Sequence, residues 1–540
     1  MKITLCQLNF TVGDFKTNTQ KILDYYQENS GSDLVVFPEL CVSGYPPEDM
    51  VSRPEFVQVS LEYTNKIIEE TKNQNADILI NTPWIEDGAT YNAALIISKG
   101  KIVHKQYKYD LPNYGVFDEK RVFKAGPKPK PFMYRGRKIG MLICEDTWNK
   151  EAAAGLKGAE FILSVNASPF ERTKHDKRMF IATQAVEAAG CPVFYTNQIC
   201  GHDDLVFDGG SFVMAKNARV FFQMKFFEED TETFDVEEVL KAKPAGKTEI
   251  NEFKHIYKAM MLGLSDYVSK NNFPGVIIGL SGGMDSALTA VAAVDALGSE
   301  RVKLVLMPSR FTSKESIEDA EEIAKNLGVK LDRIDIEDLM ECYENNLKPI
   351  YGKAKKNVAE ENLQARIRGN LLMAMSNKFG HLLLSTGNKS EIAAGYCTLY
   401  GDMCGGYSLI KDLYKTRVYD IAKWRNKNKP SGSKNDSGNL IPQRVFDKAP
   451  SAELRDNQKD VDTLPEYEIL DEILYNMIEL DKSEQEVIAL GYNVETVKYV
   501  ERLLYNSEFK RRQACIGVKI SSKPFGRDRR YPITNKFLEY

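Results

Sequence analysis

Apolar residues in the first 230 positions gather in short runs bounded by polar or turn-forming residues: 3–8, 33–37, 78–80, 93–98, 139–144, 161–166 and 193–197. Runs of this length predict β-strands. Between several of them, 16–28 and 57–73 carry helical spacing, so the first part of the chain reads as a layered α/β domain. Lys-Ala-Lys-Pro-Ala-Gly-Lys-Thr at 241–248 combines charge with Pro and Gly and predicts a linker, taken as 241–254. A second rhythm follows: helix 252–269, strand 276–280, a glycine turn, a helix from about Ser286, strand 302–307, helix 314–326, then strands 331–335 and 382–385. That order predicts a doubly wound parallel sheet with ligands beyond the carboxyl ends of its strands. The Lys-, Asn-, Ser- and Gly-rich stretch 426–439 predicts a mobile surface loop, and the chain from 471 reads as helical, then basic.

Composition narrows the class without choosing the chemistry. Of the 540 residues, 43% are hydrophobic and 27% charged, which suits globular domains and excludes a collagen or a largely disordered chain. Lys plus Arg (72) nearly balances Asp plus Glu (76), so the net charge of −4 carries no whole-chain nucleic-acid footprint. No apolar run reaches the roughly 18 residues needed to span a bilayer. The first residues alternate as a strand does and lack the apolar core of a signal peptide. Nine scattered cysteines without a Cys-x-x-Cys pair argue against a disulfide framework or a thiolate zinc site. A cytoplasmic protein with reduced thiols is expected.

The strongest local signal is Gly279-Leu280-Ser281-Gly282-Gly283-Met284-Asp285-Ser286, set between an apolar strand and an alanine-rich helix. Small residues let the backbone approach an anion, and a helix N-terminus offers unpaired N–H groups with a positive dipole end. A plain strand–turn–helix connection is the bland alternative. The loop is not a Walker A motif, because no Lys-Ser/Thr follows the glycines. Ser-Gly-Gly-x-Asp-Ser resembles the pyrophosphate-binding loop of the N-type ATP pyrophosphatases. Within that group, Asn362-Leu-Gln-Ala-Arg366-Ile-Arg368-Gly, Ser385-Thr386-Gly-Asn-Lys-Ser-Glu391, Tyr400-Gly-Asp402-Met-Cys-Gly-Gly406, Lys411-Asp-Leu-Tyr-Lys415-Thr, Lys448-Ala-Pro-Ser451-Ala-Glu-Leu-Arg and Phe509-Lys510-Arg511-Arg512-Gln are similar to NAD synthetase, over about 255–540.

The resemblance implies that residues 279–286, Thr386, Lys415 and Ser451 bind ATP. It implies that Asn362, Arg366, Glu391 and Lys510 hold deamido-NAD, and that Asp285 and Glu391 hold Mg2+. Leu399 stands where the short, ammonia-only relatives carry a lysine, and Asp402 belongs to the same part of the site. The implied reaction activates a carboxylate at the ATP α-phosphate, after which ammonia displaces AMP.

In the first half, Cys144 ends an apolar strand and precedes Glu145-Asp146, a position that can expose a thiol in a cleft. A thiolate nucleophile needs a base or cation nearby. Glu39 ends another strand in Val-Val-Phe-Pro-Glu, and Lys108 lies in Tyr-Lys-Tyr-Asp-Leu-Pro. Together with Leu111-Pro-Asn-Tyr114-Gly-Val-Phe-Asp-Glu119 and Asn166-Ala-Ser168-Pro-Phe, they resemble the Glu-Lys-Cys triad of the nitrilase (carbon–nitrogen hydrolase) family over about 1–240. That resemblance implies an α-β-β-α sandwich, Glu39 as general base, Cys144 as nucleophile and Lys108 at the oxyanion. Glu119 supports Lys108, while Tyr114, Ser168 and Lys174 contact glutamine.

The two halves fit one activity, since one liberates ammonia and the other consumes it. The whole chain resembles the glutamine-dependent NAD synthetases: a nitrilase-like sandwich (1–240) joined to a doubly wound sheet of the adenine nucleotide α-hydrolase type (255–540). The resemblance implies glutamine, ATP and deamido-NAD as substrates, a homo-oligomer, and no nucleic-acid or membrane partner. Rivals are an inactive scaffold that retains nucleotide affinity, an amidotransferase acting on another acceptor acid, and a tRNA-modifying ATP pyrophosphatase. The last rests on eight basic residues between 509 and 530 (510, 511, 512, 519, 523, 527, 529 and 530), offset there by Asp528.

Overall fold

A computed structural model describes residues 1–241, 250–355 and 357–537, and the chain divides into two compact units, Met1–Asn251 and Glu252–Tyr540. Most of the expected linker, 242–249, lies outside the described residues. Its ends are helical: Lys241 closes the helix Val236–Lys241, and Glu252 opens the helix Glu252–Lys270.

The first unit holds two six-stranded sheets. One runs Asp230–Asp235, Lys2–Gln7, Leu34–Val36, Asp77–Glu86, Ala89–Ser98, Lys101–Tyr107, and the other runs Val220–Gln223, Phe212–Met214, Val193–Asn197, Ile162–Asn166, Arg137–Ile143, Phe132–Tyr134. The central pairings are parallel and the outer ones antiparallel. Alternation along each strand assigns the layers. Ile3, Leu5, Leu34 and Val36 meet Ile139, Met141, Leu163 and Val165 between the sheets. Val35, Phe37, Ile78 and Ile80 face the other way, under Phe15, Ile22, Phe56 and Val57 of two helices. Leu142, Ile162 and Val193 pack under Ala182, Ala185 and Val186 of the helix Lys174–Ala189. The result is an α-β-β-α sandwich whose central strands are mostly apolar on both faces, which is why they read as compact apolar runs. Asp230–Asp235 left no such signal. It is an outer strand with the sequence Asp-Thr-Glu-Thr-Phe-Asp, and only Phe234 is buried.

The second unit is built on a five-stranded parallel sheet ordered Leu331–Arg333, Val302–Leu306, Val276–Gly279, Leu382–Ser385, Tyr407–Ser408. The chain steps outward in one direction from Val276–Gly279, then returns to its other side, so the switch point lies at the end of this strand. The helix Met284–Leu297, almost wholly buried, follows directly.

The stretch 426–439 is largely exposed, as expected of a surface loop, yet it is tied to the core. Its first residues end the helix Lys415–Lys427, and the rest is anchored to a buried Asp295–Arg425 pair. Ser433 Oγ donates to Asp295 Oδ1 at 2.8 Å, Lys434 N to the Asp295 carbonyl at 2.9 Å, and Arg425 Nη1 to the carbonyls of Asn428 and Ser437 at 3.1 Å each. A polar, turn-rich composition cannot distinguish a solvated loop from one held by distant charges.

Candidate active sites

In the first unit the strand Arg137–Ile143 stops at Cys144, which adopts φ 45°, ψ −97° before the helix Glu145–Trp148 begins. A non-glycine residue at positive φ stores strain that its surroundings must hold in place. Asp146 does much of this: its carboxylate accepts from Tyr109 N (3.0 Å), Asp110 N (2.8 Å) and Ile143 N (3.1 Å). Those bonds also tie the elbow to the segment that carries Lys108.

Lys108 is fully buried, with Nζ 2.8 Å from both Glu39 Oε1 and Glu119 Oε1. Glu39 Oε1 also accepts from Asn92 Nδ2 at 2.8 Å, and Oε2 from Ala167 N at 2.9 Å. Tyr45 Oη donates to Glu119 Oε1 at 2.8 Å. Burial disfavours the Lys108 ammonium, but Glu119, Glu39 and the Cys144 sulfur outweigh it and raise its pKa. Burial foremost lifts the Glu119 carboxyl to about 7, against the pull of Lys108. Burial and then Glu39 push the Cys144 thiol up, while Lys108 and the Ala167 N–H draw it down. At rest Cys144 is therefore a thiol, and to act as a nucleophile it would need a base to take its proton.

Around this centre, Tyr114 Oη donates to Glu145 at 2.9 Å, and Lys174 Nζ lies 4.3 Å from the centre of the Trp148 ring. Burial first, then Arg178, lowers the Lys174 pKa, while the Cys144 sulfur and Glu145 act in the opposite sense. Ser168 N donates to Asn197 Oδ1 at 2.8 Å. Asn92, Tyr45, Asp146, Arg178 and Asn197 were not foreseen. Only Asp146, next to Cys144 and Glu145, left a trace in the sequence.

In the second unit a cavity of about 320 Å³ opens at the sheet's switch point. All of Gly279–Ser286 line it, with Thr386, Glu391, Lys415 and Ser451. The loop is shaped by Ser281 and Ser286, whose hydroxyls lie 3.0 Å apart, and by Gly283 N donating to Ser281 Oγ at 3.2 Å. Gly282 sits at φ +81°, where a Cβ would fall 2.1 Å from the Ser316 carbonyl oxygen. Glycine is required there for both conformation and space.

Lys415 Nζ lies between Asp285 Oδ2, with which it pairs directly, and Glu391 Oε1 at 3.3 Å. Asn388 Nδ2 donates to Asp285 Oδ1 at 3.0 Å, and Glu391 caps its own helix through Asn388 N. Burial foremost, then Asp285 and Asp460, raises the Glu391 carboxyl to about 8 despite Lys415. Asp285 and Glu391 thus set carboxyl oxygens on either side of Lys415 at the end of the phosphate-type loop. Hard oxygen donors in such a setting suit a dication that takes few carboxylates and completes its shell with phosphates. Among the described residues there is no cage of three or more His, Cys, Asp or Glu side chains.

Three of the four residues expected to hold deamido-NAD bond to the turn 395–402, while Glu391 stands beside Lys415. Lys510 Nζ donates to the carbonyls of Gly395 (2.7 Å) and Cys397 (2.8 Å), Arg366 Nε to the carbonyl of Leu399 (3.2 Å), and Thr398 Oγ1 to Asn362 Oδ1 (2.8 Å). Asp402 of that turn lines the cavity, its carboxyl raised to about 6 by burial. Arg368, Lys448 and Glu453, which belong to the motifs quoted above without an assigned role, also line it, as does Asp460, which was not foreseen. The basic tail is spent largely inside the unit: Arg511 and Arg529 pair with Glu508, Lys519 with Asp528, and Lys523 with Asp481.

Residues 2–243 match the carbon–nitrogen hydrolase family and residues 256–514 the NAD synthase family. The glutamine-dependent NAD(+) synthetase of Acinetobacter baylyi is 42% identical over 99% of this chain and 98% of its own. The chain belongs to the glutamine-dependent NAD(+) synthetases. A second member of that family, from Thermotoga maritima, is 43% identical over 100% of this chain and 99% of its own. Among solved structures, the glutamine-dependent NAD+ synthetase of Acinetobacter baumannii in complex with ADP is 40% identical. It covers 99% of this chain and 98% of its own, with a TM-score of 0.77.

Proposed function

We propose that this chain makes NAD from deamido-NAD and ATP, using ammonia released from glutamine in its first unit. The observation that supports this best is the pairing, in one chain, of a buried Glu39–Lys108–Cys144 group with a phosphate-loop cavity floored by Lys415, Asp285 and Glu391.

In the first unit Glu39 takes the Cys144 proton as sulfur attacks the carboxamide carbon of glutamine. Lys108, held by Glu39 and Glu119, stabilises the oxyanion. Glu39 returns the proton to the departing ammonia, then activates the water that cleaves the thioester to glutamate. Tyr114, Ser168 and Lys174 hold the substrate's amino-acid end.

In the second unit residues 279–286, Thr386 and Ser451 hold ATP. The nicotinate carboxylate attacks the α-phosphorus and pyrophosphate leaves; ammonia then attacks the mixed anhydride, giving NAD and AMP. Lys415 offsets charge on the phosphates. Asp285 and Glu391 would hold Mg2+, which supplies further neutralisation of that charge. Asn362, Arg366, Glu391 and Lys510 form the deamido-NAD side, acting through the turn 395–402 that the first, second and last of them brace. The same reading gives a cytoplasmic homo-oligomer without nucleic-acid partners. Among the described residues no helix is long and apolar enough to cross a membrane.

The test is NAD formation with glutamine or ammonium as nitrogen donor. Cys144→Ala is expected to abolish the glutamine-driven reaction and keep the ammonium-driven one. Loss of neither, or absence of NAD from wild type with both donors, would overturn the assignment.

A further inference from the structure

Every polar backbone atom of Ser168 is engaged, and its hydroxyl is engaged on one side only. Its N–H donates to Asn197 Oδ1, and its carbonyl accepts from Arg178 Nη2 at 2.7 Å and Asn197 Nδ2 at 3.2 Å. Its Oγ lies 3.0 Å from Arg178 Nε. An arginine side chain has five N–H donors and no acceptor. In that contact the Ser168 oxygen must therefore accept, which leaves the hydroxyl proton to another group. The Ser168 hydroxyl bears on the neighbouring buried Tyr195 hydroxyl, whose pKa burial raises and Ser168 lowers, but no hydrogen bond of full geometry joins the two, and among the described residues none is recorded that takes the Ser168 proton.

Arg178 cannot easily shift. It is 2% exposed, Nη1 is 2.9 Å from Asp208 Oδ2, and Nη2 also reaches the Pro169 carbonyl at 3.1 Å. One planar fork thus fixes the Ser168 hydroxyl, the Ser168 carbonyl and an acid from the neighbouring hairpin.

We propose that Arg178 is a positioning residue that commits the Ser168 hydroxyl to donation, so that the glutamine subsite selects a carboxylate at the substrate's α-carbon. This deepens the reading of Ser168 and Lys174 as glutamine contacts and rests on it. Lys174, one turn before Arg178 on the same helix, is also a donor without acceptor capacity. Glu145, held by Tyr114, is an acceptor suited to the α-ammonium. Two donors and one acid complement a dipolar amino acid and disfavour one whose α-carboxylate has become an amide, whose N–H groups would meet donors.

The test compares hydrolysis of the γ-amide of glutamine with that of glutamine α-carboxamide, the products separated by chromatography, in wild type, Arg178→Lys and Ser168→Ala. Lysine keeps the charge but loses the fork. Both variants are expected to lower the glutamine-over-carboxamide ratio of kcat/KM by about tenfold, mainly through KM for glutamine. Ammonium-driven NAD formation should stay within twofold. An equal fall for both substrates, with the ratio unchanged, would overturn the proposal and leave Arg178 a scaffold residue. If Ser168→Ala leaves both substrates untouched, Ser168 does not face glutamine and the underlying reading fails instead. Should Arg178→Lys also lose ammonium-driven activity, Asp208→Asn, which loosens the same guanidinium, takes its place under the same two outcomes.

Discussion

Two glycines with the same backbone angle separate conformational strain from lack of space. Gly282 in the phosphate loop and Gly432 in the anchored loop both have φ +81°. A Cβ on Gly432 meets nothing within 4 Å, whereas on Gly282 it would fall 2.1 Å from the Ser316 carbonyl oxygen and 2.9 Å from its carbon. Alanine at either position costs about 1–2 kcal/mol for left-handed backbone. At 282 it also forces the loop, or the start of the helix Lys314–Leu327, to move by more than 1 Å, since ordinary contact begins near 3.4 Å. A displacement of about 1 Å in a group that positions a reactant costs on the order of 100-fold in rate, or about 2.7 kcal/mol. The assay is ammonium-driven NAD formation with ATP varied, beside urea unfolding of each variant. Gly432→Ala should lose about 1 kcal/mol of stability and keep its ATP kinetics. Gly282→Ala should lose about 100-fold in kcat/KM for ATP while keeping Cys144-dependent glutamine hydrolysis. Near-wild-type ATP kinetics in Gly282→Ala, or equal damage in both, would refute the steric reasoning.

Two further outcomes follow from buried charge. Glu391, at about 8 in the folded chain, carries a proton that the unfolded chain, near 4.5, gives up earlier, so wild-type stability should fall as pH rises from about 4.5 to about 8; thermal melts of the ligand-free protein should show Glu391→Gln flatter across that window, and an unchanged slope would refute the assignment. Arg425→Met removes the partner of the fully buried Asp295 and should cost about 3–5 kcal/mol; hydrogen exchange should rise across 428–439 more than around the phosphate loop, and a uniform rise would show that the anchor is not local.

Chemistry written in contiguous residues was legible because short-range geometry encodes it. A strand, three small residues and a helix start are enough to shape the turn at 279–286, so that turn could be read directly, whereas its place at the sheet's switch point came only with the strand order. The elbow at Cys144 was legible for the same reason: an apolar strand stops abruptly against acids. The central strands of the sandwich also declared themselves, because burial on both faces leaves them mostly apolar, with isolated polar residues such as Thr4 and Ser164.

What the tertiary structure decided is which charges meet. Lys108 stands 69 residues from Glu39, and Lys415 130 from Asp285; only the packed sheets bring each lysine between two acids and out of water, where pairing and burial set their protonation together. Asn92, Tyr45 and Arg178 gave no signal, since a lone polar residue in an apolar run looks the same whether it orients a catalytic group or fills a gap. The stretch 426–439 is largely exposed, as its composition suggests, but its bonds to Asp295, more than 130 residues away, gave no local signal. Local sequence sets backbone shape, and long-range packing sets the electrostatic environment; this chain's chemistry needs both.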